Sequence, residues 1–270
     1  MTLKVQIFSD LHIEFYNTFP RLPVEAEVLI LAGDIGIKKK KNFKEFLDYV
    51  SDNWKIVFYV LGNHEYYISA AYIDKVNKSY HDIFEEYENI MLLDDSYYIY
   101  KDESTNKLYK IIGSTLWAKA TEITKNYVNC FKIIKEKRRN RKLPLSIEKF
   151  NDMNKKSTKF IIDSIKKEKD IDIILITHYP TFMESSHPKY SSNDISIKEL
   201  FANKIDFHEM ENLKCQNITC ISGHTHYSFD YHYLNEKSKN YVRYISNQFG
   251  YNDEALNDST NFNPDGIYFI

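Results

Sequence analysis

The chain has 270 residues, of which 43% are hydrophobic, and this is enough for a substantial buried core. Its formal net charge of −2 lacks the global basic character of a nucleic-acid binder. The three cysteines, Cys130, Cys215 and Cys220, have no CxxC spacing, which argues against a disulfide framework or a zinc ribbon.

The first residues and the apolar runs predict the location of the protein. Residues 1–10 lack a basic segment followed by a long apolar segment, so we expect no secretory signal. The apolar runs have the length of strands, well below the roughly 18 residues of a membrane span. We therefore expect a soluble, cytoplasmic protein with no membrane partner.

Five short apolar runs predict strands. They are rich in β-branched residues and nearly continuous, which is typical of strands buried on both faces. The runs comprise residues 5–8, 28–31, 56–60, 173–176 and 218–221. Two further regions read as β-hairpins, residues 97–112 and residues 227–250.

Between these runs lie amphipathic helical patterns. Apolar residues recur at helical spacing in residues 42–53, 70–87 and 146–169, and Ser146 is a candidate N-cap. Strands that alternate with helices indicate an α/β fold. There is no internal repeat and no linker rich in Pro, Gly or Ser, so we expect residues 1–270 to form a single domain.

Each of the five apolar runs is followed by side chains that can bind a metal. Open α/β sheets collect ligands at the carboxyl ends of their strands, so these side chains should converge. One such residue alone would be an ordinary turn or a satisfied polar group, but five in register are not explained in that way. In chain order they are Asp10, His12, Asp34, Asn63, His64, His178, His224 and His226.

The candidate ligands are carboxylates, imidazoles and one amide, with no thiolate. This set suits Mn, Fe, Zn, Co, Ni or Mg, and it argues against a structural zinc site. Seven ligands are too many for one tetrahedral ion and suit two ions with a shared bridge. Paired ions about 3.5–4 Å apart clamp the attacking and leaving oxygens of an in-line displacement. We expect two divalent ions, with manganese favoured, and a phosphate ester as the substrate.

The ordered motifs resemble those of the calcineurin-like metallophosphoesterases. They extend from residue 10 to residue 226, and the ordered set is specific although each motif alone is weak. Residues 112–117 are similar to a cytosolic branch found in bacteria, phages and large viruses. The motifs are Ser9-Asp10-Leu11-His12, Gly33-Asp34, Gly62-Asn63-His64-Glu65, Thr177-His178 and Gly223-His224-Thr225-His226.

The resemblance implies a role for each motif residue. The ligands of the first metal would be Asp10, His12 and His226. The ligands of the second metal would be Asn63, His178 and His224. Asp34 would bridge the ions opposite a bridging water or hydroxide, which would attack the phosphate in line. His64 would bind no metal and would assist the leaving group.

The resemblance also implies a fold and excludes one class of substrate. The fold would be a four-layer αββα sandwich of two mixed β-sheets flanked by helices. Protein Ser/Thr phosphatases of the superfamily follow Gly-Asp with a further Asp and an Arg, which are missing after Asp34, so we expect no protein phosphatase. Tyr179 and Ser222 occupy positions where the suspected branch often has His. These differences leave the seven candidate ligands intact and affect only the contacts around them.

Two basic segments are candidates for contact with the substrate. Residues 38–41 follow the Asp34 strand and could steer an anionic substrate, although we favour a solvated charge run. The segment from Lys132 to Lys142 lies in an insertion, residues 118–150, which we expect to be helical and to form a possible lid. It could grip a nucleic-acid backbone or a polyphosphate, but we favour a solvated helix.

Other residues are weaker candidates. Trp117, Tyr127 and Phe131 could stack a base, although core packing is favoured. Residues 185–190, which include His187, could line the pocket. The remaining histidines outside the motifs should be surface or structural residues, namely His81, His208 and His232.

Several alternatives stay open at this point. We favour a small molecule or a nucleotide as the substrate, and the motifs do not separate a monoesterase from a diesterase. The alternative to an enzyme is a non-catalytic metal-binding scaffold for protein partners, against which the complete ligand set argues. A third hypothesis is a nucleic-acid-binding module with incidental metals, and the net charge argues against it. The oligomeric state is unknown.

Overall fold

The computed structural model describes residues 2–68, 70–185, 194–256 and 260–270. The strands in these residues are β1 (Lys4–Phe8), β2 (Val28–Leu31), β3 (Ile56–Tyr59), β4 (Ile90–Leu92), β5 (Ser96–Lys101), β6 (Leu108–Ser114), β7 (Lys135–Arg138), β8 (Arg141–Pro144), β9 (Asp172–Thr177), β10 (Asn217–Ser222), β11 (Phe229–Leu234), β12 (Tyr241–Ser246) and β13 (Ile267–Phe269). The helices are α1 (Lys41–Asn53), α2 (Ile73–Phe84), α3 (Cys130–Ile133), α4 (Ile147–Lys166), α5 (Ile195–Lys198) and α6 (Asn252–Leu256).

Eleven of these strands form two mixed sheets. The first sheet has the order β13-β1-β2-β3-β4, and its strands are parallel except for β13. The second sheet has the order β11-β12-β10-β9-β6-β5, with antiparallel pairs at both edges and parallel strands between them. All five predicted strands and both predicted hairpins are confirmed. The three-residue strands β4 and β13 were not predicted, because they are too short to show a periodicity.

Alternation along each strand divides the side chains between two clusters. In β2, Ile30 packs in a cluster with Ile174 of the second sheet, whereas Leu29 packs in another cluster with Phe46 of α1. Successive side chains point to opposite faces of a sheet, so the first cluster lies between the two sheets and the second lies under the helices. Both faces of the sheet are therefore buried, as the continuous apolar runs predicted.

The second sheet is covered on its outer face in the same way. Leu175 of β9 packs with Ile161 and Ile165 of α4. The predicted N-cap is confirmed, since the Ser146 side chain accepts a hydrogen bond from the backbone N–H of Lys149. The layers are helices α1 and α2, the first sheet, the second sheet, and α4. This order confirms the four-layer αββα sandwich.

The basic insertion differs from the prediction. Within residues 132–142 only the first two are helical, at the end of α3, and β7 and β8 pair as a separate antiparallel hairpin. Lys, Arg and Glu favour helix in isolation, but Ile134 and Leu145 at the base of the hairpin are both buried and share a backbone hydrogen bond of 3.0 Å. Pro144 also opposes a helix here. The tertiary contacts override the local preference.

The membrane and cysteine expectations can be compared with the same residues. None of the helices in the described part of the chain is both long and apolar enough to cross a bilayer. Cys130, Cys215 and Cys220 are all buried and free, which is typical of cysteines that pack as small apolar residues.

Candidate metal centre

The predicted site residues follow five parallel strands, and most of them have an unusual backbone conformation. Five have a positive φ, which non-glycine residues rarely adopt: Asp10 (54°), His12 (46°), Asp34 (53°), His224 (75°) and His226 (50°). Backbone strain of this kind is concentrated at functional sites, where the surrounding packing has to maintain it. The strain here coincides with the ends of β1, β2 and β10.

One group of possible ligands joins β1 to β10. The side chains of Asp10, His12 and His226 each offer an atom within 4.8 Å of the others. The Nε2 atoms of His12 and His226 are 3.1 Å apart, and Nε2 of His226 lies 3.5 Å from Oδ1 of Asp10. These three residues are the ligands that the resemblance implies for the first metal.

A second group joins β2, β3, β9 and β10. Nε2 of His178 lies 3.0 Å from Oδ1 of Asn63, 3.2 Å from Nδ1 of His224 and 3.4 Å from Oδ2 of Asp34. Asp34 also lies between the groups, because the same oxygen is 4.0 Å from Nε2 of His12. The structure thus brings all seven predicted ligands together.

The donor atoms of the first group fit a cation. Nδ1 of His12 is bound to Glu14 and Nδ1 of His226 is bound to Glu254. Carboxylates only accept hydrogen bonds, so each Nδ1 carries the hydrogen and each Nε2 presents a lone pair. Two lone pairs face each other at 3.1 Å beside the carboxylate of Asp10. Only a positive species between them makes this arrangement favourable.

The second group leads to the same conclusion. Nδ1 of His178 donates to the backbone oxygen of Ala32 at 3.0 Å, so its Nε2 also presents a lone pair. That lone pair faces the side-chain oxygens of Asn63 and Asp34, which are acceptors. Nε2 of His224 is buried without a hydrogen-bond partner among the described residues. The residues fit a second cation.

The pKa values of the histidines and aspartates show that the site favours positive charge. Burial alone would lower the pKa of His178, but Asp34 and Asp10 outweigh burial and raise it to about 9. Burial is likewise outweighed at His226, where hydrogen bonds to Asp10 and Glu254 raise the pKa to about 10. Burial would raise the pKa of Asp34, yet the neighbouring histidines hold it well below its usual range.

The turn after β3 is held by Glu65, a residue to which the sequence analysis gave no role. Its buried carboxylate accepts hydrogen bonds from the backbone N–H groups of Asp34, Ile35 and Gly62 and from the Tyr59 hydroxyl. Glu65 therefore joins the turn that carries Asp34 to the turn that carries Asn63. It directly follows His64 within the quoted motif, so its position in the motif was the available signal.

His64 lies beside the ligands with its two ring nitrogens in different surroundings. Nδ1 is 2.8 Å from Oε1 of Glu14, whereas Nε2 is 3.3 Å from the hydroxyl of Tyr251. The ring of Tyr67 packs on the imidazole at a centroid distance of 4.4 Å. The sequence analysis did not identify Glu14, Tyr67 or Tyr251, although Glu14 and Tyr67 each lie two residues after a quoted motif.

Tyr179, one of the two departures from the suspected branch, contacts a predicted ligand. Its ring lies 3.9 Å from the ring of His224, and its hydroxyl is 3.8 Å from the Cys130 thiol. Cys130 belongs to the insertion, and its thiol also lies 3.4 Å from the hydroxyl of Tyr67. The insertion therefore contacts the site through its buried base.

Two of the three aromatic candidates pack in the core, as we favoured, and the third does not. Trp117 is buried and packs against Phe150 and Tyr179, and Phe131 also packs against Phe150. Tyr127 is 59% exposed and lies outside this cluster.

The three histidines outside the motifs contact residues away from the site: His81 contacts Asp94, His208 contacts Tyr244 and His232 contacts Asp230.

Two lysines of residues 38–41 have partners outside the site. Lys38 donates a hydrogen bond to the backbone oxygen of Ser79, and Lys41 forms an ion pair with Glu45. Ser185 ends a 3-10 turn, but residues 186–190, including His187, lie outside the described residues.

Comparisons with known proteins agree with this geometry. The profile of the family described as Calcineurin-like phosphoesterase matches residues 3–228. An uncharacterized protein of Acanthamoeba polyphaga mimivirus is 31% identical over 277 residues, covering 95% of this chain and 92% of its own. The structure of phosphopantetheinyl hydrolase from Mycobacterium tuberculosis superposes with a TM-score of 0.65 at 13% identity, covering 100% of this chain and 96% of that chain. At that identity, the superposition shows a shared fold.

Proposed function

Because the chain belongs to the calcineurin-like phosphoesterase family, whose members are metal-dependent phosphoester hydrolases, we propose that it hydrolyses a phosphate mono- or diester at two divalent ions. The observation that carries this proposal is the convergence of acceptor atoms, above all the Nε2 atoms of His12 and His226 at 3.1 Å. Acceptor atoms whose lone pairs face one another repel unless a cation lies between them.

The two ligand groups suggest how the ions would be held. Asp10, His12 and His226 would hold one ion. Asn63, His178 and His224 would hold the other, and Asp34 between the groups would serve both. Divalent ions there would make hydroxide available near neutral pH and neutralise the phosphate oxygens. Mixed nitrogen and oxygen donors suit several metals, and we favour manganese.

His64 would protonate the leaving group. Burial would lower the pKa of His64, but Asp34 and Glu14 outweigh burial and raise it above its usual value. A raised pKa suits a proton donor, and Nδ1 is hydrogen-bonded to Glu14, which leaves Nε2 for the leaving group. A leaving oxygen that approaches Nε2 on the side of Tyr251 would receive its proton there.

We further propose that the substrate is a small molecule or a nucleotide. Phe15 is 62% exposed, and its ring lies 6.1 Å from His64 and 6.0 Å from Tyr251. An exposed aromatic ring beside Nε2 of His64 can stack on a planar group of the substrate.

We also propose that the protein acts in the cytoplasm and that residues 1–270 form a single domain. The three free cysteines support the cytoplasmic location.

The proposal is tested with metal-stripped protein reconstituted separately with Mn, Zn, Ni and Mg. Nitrophenyl phosphate reports monoesterase activity, and bis-nitrophenyl phosphate reports diesterase activity. We expect turnover only with added metal, and none in Asp34→Asn. The matched control is Asp52→Asn, since Asp52 is exposed on α1. Turnover that survives in Asp34→Asn, or that needs no metal, would contradict the proposal.

A second variant separates an enzyme from a scaffold. With phenyl phosphate, whose basic leaving group needs a proton, His64→Ala should keep both metals, measured by elemental analysis, while losing about 10²- to 10⁴-fold in kcat. A scaffold would show no metal-dependent turnover in either protein. An unchanged kcat in His64→Ala would exclude the assigned role of His64.

The basic hairpin allows a test of the nucleic-acid alternative. Arg138 and Arg141 lie opposite each other in the register of β7 and β8, and both are exposed. If the hairpin gripped a polynucleotide, replacing both with Ala would weaken oligonucleotide hydrolysis and flatten its salt dependence. We expect no such change, and turnover of the nitrophenyl ester should also remain the same.

A further inference from the structure

Glu14 is a buried charge for which the proposed hydrolysis has no direct use. The residue is 5% exposed and lies in the short turn that follows His12. Its Oε1 is 2.8 Å from Nδ1 of His64 and 3.2 Å from Nδ1 of His12. Its Oε2 is buried without a hydrogen-bond partner among the described residues. Both imidazoles therefore share a single carboxylate oxygen.

A carboxylate in this position is costly unless it is paired. The Nδ1 atoms of His12 and His64, both within hydrogen-bond distance of Oε1, are the partners of this carboxylate. Because a carboxylate only accepts, both rings must place a hydrogen on Nδ1. The same oxygen thereby determines the tautomer and the orientation of two rings, and turns both Nε2 atoms away from itself.

We propose that Glu14 is a positioning residue that holds His64 with Nε2 toward the leaving group and ties this orientation to that of His12. The inference rests on the proposed hydrolysis and adds a residue to it. Glu14 touches neither the substrate nor the reacting atoms, so it would act only through the two rings. Its loss should affect proton donation more than phosphate binding.

Leaving groups of different basicity separate this role from simple structural support. Nitrophenolate leaves with little help from an acid, whereas the more basic phenolate needs a proton. Glu14→Ala should therefore lower kcat for phenyl phosphate about 100-fold and for nitrophenyl phosphate less than about 10-fold, with KM changed little. A purely structural role would lower both rates by the same factor.

A conservative variant and a matched control refine the test. Glu14→Gln keeps an oxygen that can accept from Nδ1, so it should recover part of the rate with phenyl phosphate. The control is Glu25→Gln, because Glu25 is exposed, and it should behave as the unmodified protein. Failure of the Gln variant to exceed the Ala variant would oppose a role in orienting the ring.

Coupling between the two residues is measured with a double-mutant cycle. If Glu14 acts through His64, adding Glu14→Ala to His64→Ala should cause almost no further loss with phenyl phosphate. A full additional loss would overturn the proposal. Because Glu14 also contacts His12, the metal content of every variant is determined, and recovery of Glu14→Ala by excess metal would likewise overturn it.

The tautomer can be observed without turnover. In zinc-loaded protein at a pH at which the His64 ring is neutral, nitrogen–proton NMR correlations of that ring should show the hydrogen on Nδ1, and Glu14→Ala should give a mixture of tautomers. An unchanged tautomer in Glu14→Ala would refute the inference even in an inactive protein. Absence of turnover in the unmodified protein with every metal would instead count against the proposed hydrolysis.

Discussion

Nε2 of His12 and Nε2 of His226 are 3.1 Å apart although each ring donates its other N–H to a glutamate. Such a pair is unfavourable unless a positive charge lies between the two lone pairs. In the protein without metal, the neighbouring carboxylates raise the pKa values of His178 and His226, so these two rings hold protons instead. Metal ions and protons therefore compete for the same atoms.

Metal binding should release protons. With pKa values raised to about 9 and about 10, His178 and His226 both carry a proton at pH 7 in the metal-free protein. Binding must displace these protons, so about two are released at pH 7, and affinity increases as the pH rises toward 10. Calorimetry in buffers of different ionisation enthalpy counts them. An equal release at pH 7 and pH 10 would contradict the competition.

Gly62 leaves room for the Asp34 carboxylate. A Cβ at this position would overlap that carboxylate and lie 2.5 Å from the backbone nitrogen of Asp34. Gly62→Ala should displace Asp34, reduce unfolding free energy by about 1–3 kcal/mol and lower the metal content. Urea unfolding and elemental analysis measure these effects. Normal metal content together with normal stability would show that the turn adapts.

At the scale of elements, the strand ends place the site and the hairpin borders it. β1, β2, β3, β9 and β10 are parallel within their sheets, so the predicted ligands that follow them emerge at common edges. The hairpin of β7 and β8 is held by its buried ends, Ile134 and Leu145, while its tip is exposed. Its two-residue turn, Arg139 and Asn140, has positive φ at both positions.

The turn of the hairpin offers a stabilising substitution. Arg139 has a φ of 50°, which is strained for a side chain other than Asn, Asp or Gly. Arg139→Asn should raise the free energy of unfolding by about 0.5–1 kcal/mol, because Asn tolerates this conformation. Urea unfolding measures the change. The control, Arg141→Asn in β8, should not stabilise the protein, and a gain there of equal size would point to charge rather than backbone strain.

At the scale of the whole molecule, the site depends on residues far apart in the chain. The family match ends at residue 228, yet Tyr251 and Glu254 beyond it contact His64 and His226. Glu254 also accepts a hydrogen bond from the backbone N–H of Tyr251 at 3.0 Å, so it contacts both His226 and the tyrosine. Residues beyond the family match therefore contribute to the candidate site.

Glu254 should affect the affinity of one of the two proposed metal sites. A carboxylate that accepts from the distal nitrogen of a ligating imidazole orients that ring and increases its basicity. Glu254→Ala should weaken the ion held by His226 about 10-fold and leave the other ion unchanged. Competitive titration with a metal-sensitive dye measures the two affinities. The control is Asn252→Ala, an exposed residue of the same helix. Equal weakening of both ions would argue for a general loss of structure.

The sequence by itself determined the α/β class, the buried strands, both hairpins of the second sheet and the convergence of the seven candidate ligands. These features depend on local periodicity and on the residue that follows each strand, and both are visible in a short window. The shape of the basic insertion and the contacts of Glu14, Tyr251 and Glu254 were decided only by the tertiary structure. They depend on contacts such as Ile134 with Leu145 and His226 with Glu254, which chain folding creates and no local pattern encodes.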